Sequence, residues 1–369
     1  MANKKITHYN LDNIDAEKAT INLIYGERSN GKSYQVKHKK GVLKYWNTGK
    51  RFILMRRWKE EISAEKIEQY FADVNVEEIT EGAYNCITMY KKQLWLSNYN
   101  PEDGKTKRGE KIGYVVALST EQNYAGASYL DVEDIIFEEF MSRSEYLAGE
   151  STKLMNFYVT ADRKRKVVRL WLVGNTISRV CPYITDWELR DIVTRQEQGT
   201  IEKTKLWTGD FDENTGEPVM VDLAIEYCKS TGRSSFAVGK HAEMLNKGSW
   251  QSDPQPHLPK SKKAYVCKLR IAFVYDDLKY LAEYLVDRET NEIAWFIYPY
   301  KGKIDDKTIV ISNHVKISRY WQRNIYDTNF KNEKLNRLLY NTFRESKIFY
   351  ASDQCGTDFK QVIDFTIKK

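Results

Sequence analysis

The sequence is poor in the residues that build metal clusters and disulfide frameworks. It has five cysteines (Cys86, Cys181, Cys228, Cys267 and Cys355) and five histidines in 369 residues. No two cysteines form a C-x-x-C pair, and no histidine stands at zinc-ligand spacing from them. This argues against a zinc site and reads as buried thiols in a reducing compartment. No apolar run approaches the ~20 residues that a bilayer crossing needs. The stretch Met1 to Ile6 is polar and basic with no apolar segment behind it, which argues against a secretory signal and leads us to expect an intracellular protein with no membrane partner. Proline is also sparse. Three of the seven, Pro254, Pro256 and Pro259, fall within six residues and mark Gly248 to Lys263 as a linker, because proline continues neither a helix nor a central strand. No internal repeat or low-complexity tract is present.

What remains is a chain long enough for two domains, 41 % hydrophobic and 30 % charged, with 25 Tyr and 9 Trp to fill cores. The net charge of +7 is uneven. Residues 261–369 carry 20 Lys+Arg against 14 Asp+Glu, a net +6, while the rest carries 38 against 37, a net +1. The basic C-terminal part fits either a polyanion partner such as nucleic acid or a solvated surface.

Ahead of the linker, short apolar runs alternate with helical spacing. Strands are expected at Ala19 to Tyr25, Phe52 to Met55, Tyr114 to Leu118, Asp134 to Phe137 and Arg169 to Val173. Helices are expected at Lys32 to Trp46 and Ile62 to Phe71. Cys86 to Tyr90 with Leu94 to Leu96 reads as a hairpin, and Asn98 to Lys111 as a long polar loop. This alternation predicts an α/β fold with a mostly parallel sheet. After Lys263, Ala264 to Val274, Tyr280 to Val286 and Ile293 to Ile297 read as a three-stranded meander. A helix at Asn332 to Phe343 follows, giving a smaller α+β domain. The expected division is 1–207, a linker or lid over 208–260, and 261–369.

Gly26-Glu27-Arg28-Ser29-Asn30-Gly31-Lys32-Ser33 lies between the first strand and the first helix, the context a phosphate-binding P-loop requires. Gly26 and Gly31 permit close approach and unusual backbone conformations, and the N–H groups of the loop and helix start face the phosphates of a nucleotide. The expected nucleotide contacts are Gly26, Arg28, Ser29, Asn30, Gly31, Lys32 and Ser33, with Lys32 on the β/γ-phosphates and Ser33 on Mg²⁺. Asp134 to Phe137 ends in Glu138-Glu139. A carboxylate at that strand end can hold the metal, and the next can polarise the attacking water, so Glu138 is assigned to Mg²⁺ and Glu139 to catalysis. Glu138 stands where Asp is more usual. Asn175, at the end of the following strand, either senses the γ-phosphate or makes a turn.

Three basic clusters have open readings. Arg163-Lys164-Arg165-Lys166 offers an arginine finger to a neighbour's nucleotide, or a solvated surface. Arg56-Arg57-Trp58-Lys59 binds DNA phosphates, transmits the nucleotide state, or packs on acidic neighbours. Lys316, Arg319-Tyr320-Trp321 and Arg323 read as a phosphate-contacting surface or as core packing. The first strand after the linker has no acidic residue. Asp276-Asp277 lies beyond its end, so the C-terminal domain lacks the converging carboxylates of a two-metal nuclease.

Taken together these residues resemble the encapsidation ATPases of small podoviruses, which drive double-stranded DNA into a preformed capsid. The resemblance lies in His8-Tyr9-Asn10, Arg28, Tyr34 after Ser33, Arg56-Arg57-Trp58-Lys59, Phe137-Glu138-Glu139-Phe140, and the basic cluster that begins twelve residues before Asn175. It implies Tyr9 and Tyr34 beside the nucleotide and Arg163 as the finger. It also implies an ASCE-type P-loop NTPase domain, a short linker and an RNase H-like vestigial nuclease domain. The partners it implies are double-stranded DNA, the portal of the procapsid and further copies of the chain in a ring, usually a pentamer, with a packaging RNA as a further candidate. The expected activity is Mg-ATP hydrolysis that moves DNA, in the host cytoplasm and docked on the procapsid. Two rivals use the same loop: a small-molecule kinase, and a nucleotide-gated DNA-binding or scaffolding protein without turnover.

Overall fold

The computed structural model describes residues 9–142, 145–176, 179–230, 254–275, 278–312, 318–322, 341, 343 and 346–367. They form two compact units: residues 9–176 with 181–230, and residues 254–367 with Arg179 and Val180.

The first unit is one nine-stranded sheet. In chain order its strands are β1 (Ile21–Gly26), β2 (Arg51–Arg56), β3 (Cys86–Tyr90), β4 (Gln93–Asn100), β5 (Lys105–Ala117), β6 (Val132–Glu138), β7 (Arg169–Asn175), β8 (Thr200–Phe211) and β9 (Pro218–Tyr227). Their order across the sheet is β3-β4-β5-β2-β6-β7-β1-β9-β8. The six strands from β5 to β9 are mutually parallel, and β3, β4 and β8 add antiparallel pairs at the two sides. The central strands are apolar and buried along nearly their whole length, as parallel strands covered on both faces must be. One strand, β7, separates β1 from the acidic strand β6, which is the ASCE arrangement.

The helix after β1 runs in three parts: α-helical Lys32–Val36, π-helical Lys37–Val42 and α-helical Leu43–Thr48. It ends at Gly49, whose φ of +73° and N–H bond to Tyr45 O (2.7 Å) make a left-handed cap. The helix Ala64–Phe71 starts at Ser63, whose hydroxyl accepts from Lys66 N, and buries Ile67 and Phe71 on one face.

Two expectations are corrected in this unit. Asn98 to Lys111 is not a loop. It is the outer half of the β4–β5 ribbon, with Asn98 opposite Lys107 and Asn100 opposite Lys105. Both faces there are exposed, so no alternating apolar signal marks the strands. The sheet also continues past residue 207: β8 and β9 form a hairpin, and β9 lies parallel to β1 with Ile21 opposite Leu223. Residues 218–227 therefore belong to the first unit and not to a linker or lid.

The second unit is a six-stranded sheet of β10 (Tyr265–Tyr275), β11 (Leu278–Asp287), β12 (Ile293–Pro299), β13 (Ile309–Ser312), β14 (Tyr320–Gln322) and β15 (Lys347–Tyr350), followed by the helix Asp353–Ile367. β10, β11 and β12 are the expected antiparallel meander. β13 pairs parallel to β10, β14 parallel to β13, and β15 parallel to β12. The run β12-β11-β10-β13-β14 has the strand order and directions of an RNase H-like sheet. Its core gathers Phe273, Tyr280, Trp295, Tyr350 and Phe359. The proline segment is also not a free linker in its described part: Pro256 O accepts from Tyr350 N (2.8 Å), and the His257 ring lies 2.9 Å from Tyr350 O and from Asp353 Oδ1. The expected helix at Asn332 to Phe343 lies almost wholly outside the described residues, as do Asp276 and Asp277.

Candidate active site

The parallel register fixes which residues meet. Gly26 at the end of β1 stands opposite Asn175 at the end of β7, and Glu138 at the end of β6 stands opposite Val173. The C-terminal ends of β1, β7 and β6 therefore present the phosphate loop, an amide and a carboxylate side by side. Ligands of open α/β sheets bind at this edge.

Both loop glycines are required by the structure. A Cβ on Gly26 would lie 2.8 Å from Cβ of Cys228, and Gly31 has φ +96°. Asn30 steadies the loop: its Oδ1 accepts from Lys32 N (3.2 Å), and its carbonyl accepts from Tyr9 N (3.0 Å). Arg28 and Ser29 are exposed, with Ser29 in the left-handed region at φ 60°. Tyr34 stacks on His38, ring centroids 5.4 Å apart.

Lys32 is buried, and Nζ donates to Glu27 O and to Asn175 Oδ1, both at 2.7 Å. Burial pulls its pKa below the usual lysine value, against the opposing pull of nearby Glu138 and Glu27. Ser33 Oγ donates to Glu138 Oε2 at 3.0 Å, and Tyr70 OH donates to Glu138 Oε1 at 2.6 Å. Glu138 is only 4 % exposed. Burial raises its carboxyl pKa, opposed by the two hydroxyl donors and by Arg56 and Lys32. The site fits a magnesium ion. Two neighbouring oxygens of an octahedral Mg²⁺ at ~2.1 Å lie roughly 3 Å apart, which is the spacing of Ser33 Oγ and Glu138 Oε2. Lys32 and Asn175, and Ser33 and Glu138, are thus brought together at this edge.

Glu139 differs sharply from its neighbour. Its φ is +59°, its side chain is 62 % exposed, and Oε2 lies 3.8 Å from Arg56 Nη2. The left-handed residue turns the chain as it leaves the sheet, and the second carboxylate is open to solvent where the first is buried. Arg56 also donates to Glu61 Oε2 at 3.0 Å.

The expectation of a DNA contact fails for Arg57. It is 3 % exposed, its Nε and Nη2 donate to the buried Glu150, and Nη1 and Nη2 donate to the carbonyls of Glu139 (3.0 Å) and Phe140 (2.9 Å). Of the three readings of that cluster, Arg57 takes the packing one: it holds the backbone just past the acidic pair. Lys59 is exposed in the single turn Lys59–Glu61.

Arg163 lies at the other edge of the sheet. It caps the helix Glu150–Asp162 with φ 49° and donates from Nη2 to the carbonyls of Gly126 and Ala127. The following turn hangs on the Asp162 carboxylate, which accepts from the N–H groups of Lys166, Val167 and Val168. The chain then runs the full length of β7, roughly 20 Å at ~3.3 Å per residue, before it reaches Asn175. Arg163 does not reach its own chain's Lys32.

Tyr9 is packed in the core. Its contact with the loop is through its backbone, and its hydroxyl donates to Glu226 Oε2 at 2.7 Å. That ring is not open beside the loop in the way expected of an adenine contact. In the second unit Arg319 is exposed and Trp321 packs against the core. Lys316 and Arg323 lie outside the described residues.

Sequence reasoning missed Tyr70 and the Arg57–Glu150 clamp. A tyrosine on the buried face of an amphipathic helix was the available signal, since its hydroxyl needs a partner there.

Residues 3–198 match the podovirus DNA encapsidation protein (Gp16) family. The chain belongs to that family. DNA packaging proteins of Bacillus phages PZA and phi29 are each 28 % identical over 188 residues, 50 % of this chain and 51 % of theirs. That of Bacillus phage B103 is 31 % identical over 171 residues, 44 % of this chain and 46 % of its own. The chain thus spans about half the length of the curated relatives it matches. A solved structure of the bacteriophage Phi-29 viral genome packaging motor assembly aligns with 97 % of this chain and 99 % of the solved one, at TM-score 0.53 and 19 % identity. Its likeness is one of fold and extends over both units. The family match covers the phosphate loop, the acidic pair, Arg163 and Asn175.

Proposed function

We propose that the chain is an ATP-driven motor subunit that moves double-stranded DNA into a viral procapsid. The observation that carries the reading is the meeting of Lys32, Ser33, Glu138 and Asn175 at one edge of the sheet, in a chain of the encapsidation family. Lys32 exchanges Glu27 O and Asn175 for phosphate oxygens. Ser33 and Glu138 hold Mg²⁺, which when bound neutralises charge on the β- and γ-phosphates. Glu139, exposed and beside Arg56, orients and deprotonates the attacking water. Asn175, released from Lys32, is free to bond the γ-phosphate and to return once phosphate leaves.

Arg163 acts on a neighbouring copy's nucleotide, a reading supported by its place at the far edge of its own sheet. The working form is accordingly a homo-oligomeric ring, as a pentamer, on the portal of the procapsid in the host cytoplasm, with a packaging RNA as a further partner. Lys59 and Arg319, both exposed, are the described candidates for DNA contact, alongside Lys316 and Arg323. Such contacts are to phosphates and weaken as salt rises. The second unit grips nucleic acid without cutting it. A small-molecule kinase or a non-hydrolysing scaffold is disfavoured by the family match. Phosphate release with and without double-stranded DNA tests the proposal. DNA-stimulated hydrolysis supports it, and hydrolysis indifferent to DNA but stimulated by a small acceptor would refute it.

A further inference from the structure

Glu138 receives two hydrogen bonds, and the second comes from outside the phosphate loop. Ser33 Oγ bonds Oε2, and Tyr70 OH bonds the other oxygen, Oε1, at 2.6 Å. Tyr70 sits on the helix Ala64–Phe71, which is anchored through Ile67 and Phe71 and capped by Ser63. Lys37, on the helix that follows the phosphate loop, fixes Tyr70 from a second side. Its Nζ donates to Tyr70 O, stands 4.4 Å from the ring centroid and pairs with Asp73. Tyr70 also meets Phe71 edge to face at 5.0 Å. The hydroxyl is therefore held in place independently of Glu138.

Glutamate has one more rotatable bond than aspartate, so a glutamate at a strand end must give up more freedom to present one oxygen at a defined point. A donor on the far oxygen removes that freedom. We infer that Tyr70 is the positioning residue for the metal-binding carboxylate: its hydroxyl holds Glu138 Oε1 so that Oε2 and the Ser33 hydroxyl address the same point. Outer partners of metal-binding carboxylates commonly have this role, and their loss costs about 10- to 100-fold in metal affinity. The inference rests on the proposed nucleotide site and accounts for a Glu at a position where Asp is more usual.

The test uses Mn²⁺ as the probe, titrated by electron paramagnetic resonance against the full chain with a non-hydrolysed ATP analogue. Tyr70→Phe keeps the ring and its packing. It should weaken Mn²⁺ affinity about tenfold while leaving metal-free analogue affinity and the melting temperature close to wild type. Glu138→Asp provides the second arm. Its carboxyl is one methylene shorter and falls short of Tyr70, so adding Tyr70→Phe to it should cause no further loss, a fully coupled cycle. Wild-type Mn²⁺ affinity in Tyr70→Phe, or additive losses in the double variant, would overturn the inference. Failure of the wild-type chain to bind Mn²⁺ with the analogue would instead overturn the nucleotide-site reading, and this inference with it.

Discussion

Lys32 Nζ and Asn175 Oδ1 lie 2.7 Å apart, joining the phosphate loop of β1 to the end of the neighbouring strand β7. The bond closes a short circuit of side chains. Asn175 holds Lys32, the adjacent Ser33 holds Glu138, and Tyr70 holds Glu138 from the other side. An ammonium, a hydroxyl, an amide and a carboxylate satisfy one another at a sheet edge, where a magnesium triphosphate could replace several of these bonds at once.

Glu139→Gln separates binding from chemistry. The substitution is isosteric and sits on an exposed side chain, so nucleotide affinity and fold should hold, while loss of the proposed general base should lower kcat by about 10²- to 10⁴-fold. Steady-state phosphate release with a parallel binding titration checks both. Wild-type turnover would remove Glu139 from the assignment.

Mixing tests whether Arg163 acts across copies. Chains carrying Arg163→Ala and chains carrying Lys32→Ala should each be inactive alone. Mixed, they should recover a measurable fraction of hydrolysis, because some neighbours then combine an intact loop with an intact finger. No recovery over a range of mixing ratios would argue against a shared site.

Arg57→Ala should be costly to stability. Among the described residues it leaves the buried Glu150 with Tyr183 OH and Leu147 N as donors, and it removes the guanidinium from the carbonyls of Glu139 and Phe140. Breaking a buried pair in this way costs about 3–5 kcal/mol, which denaturant unfolding would detect. A loss confined to DNA affinity, with stability unchanged, would restore the surface role that the structure removes.

Arg57 and Tyr70 show where the sequence ran out. The phosphate loop, its strand and its helix were legible because glycine, lysine and serine sit at fixed local spacing. The acidic pair was legible because it ends an apolar run. The partners of Arg57 and Tyr70 lie 93 and 68 residues away, and no local pattern announces them. The β4–β5 ribbon and β8 escaped for a different reason. Their outer residues face water on both sides, so pairing and not burial makes them strands, and composition alone reads them as loop or linker.

Glu226 predicts a pH effect. Burial raises its carboxyl from 4.5 to about 7, partly offset by the bond from Tyr9. The folded state then holds a proton that the unfolded state has released, so this group's contribution is full below the unfolded value and is lost as pH rises from 4.5 to about 7. Glu226→Gln keeps an oxygen for the Tyr9 hydroxyl and does not ionise. The variant's melting temperature should match wild type near pH 4.5 and exceed it by a few degrees near pH 8. A pH-independent difference would show that Glu226 does not titrate in this window.

Mg-dependent phosphate release by the full chain, compared with Lys32→Ala in the presence and absence of double-stranded DNA, tests the central claim most directly. The account predicts that the wild-type chain turns over ATP, that DNA accelerates it, and that Lys32→Ala is inactive under both conditions. Equal rates for the two chains, or no turnover by the wild type with DNA and Mg²⁺ supplied, would contradict it.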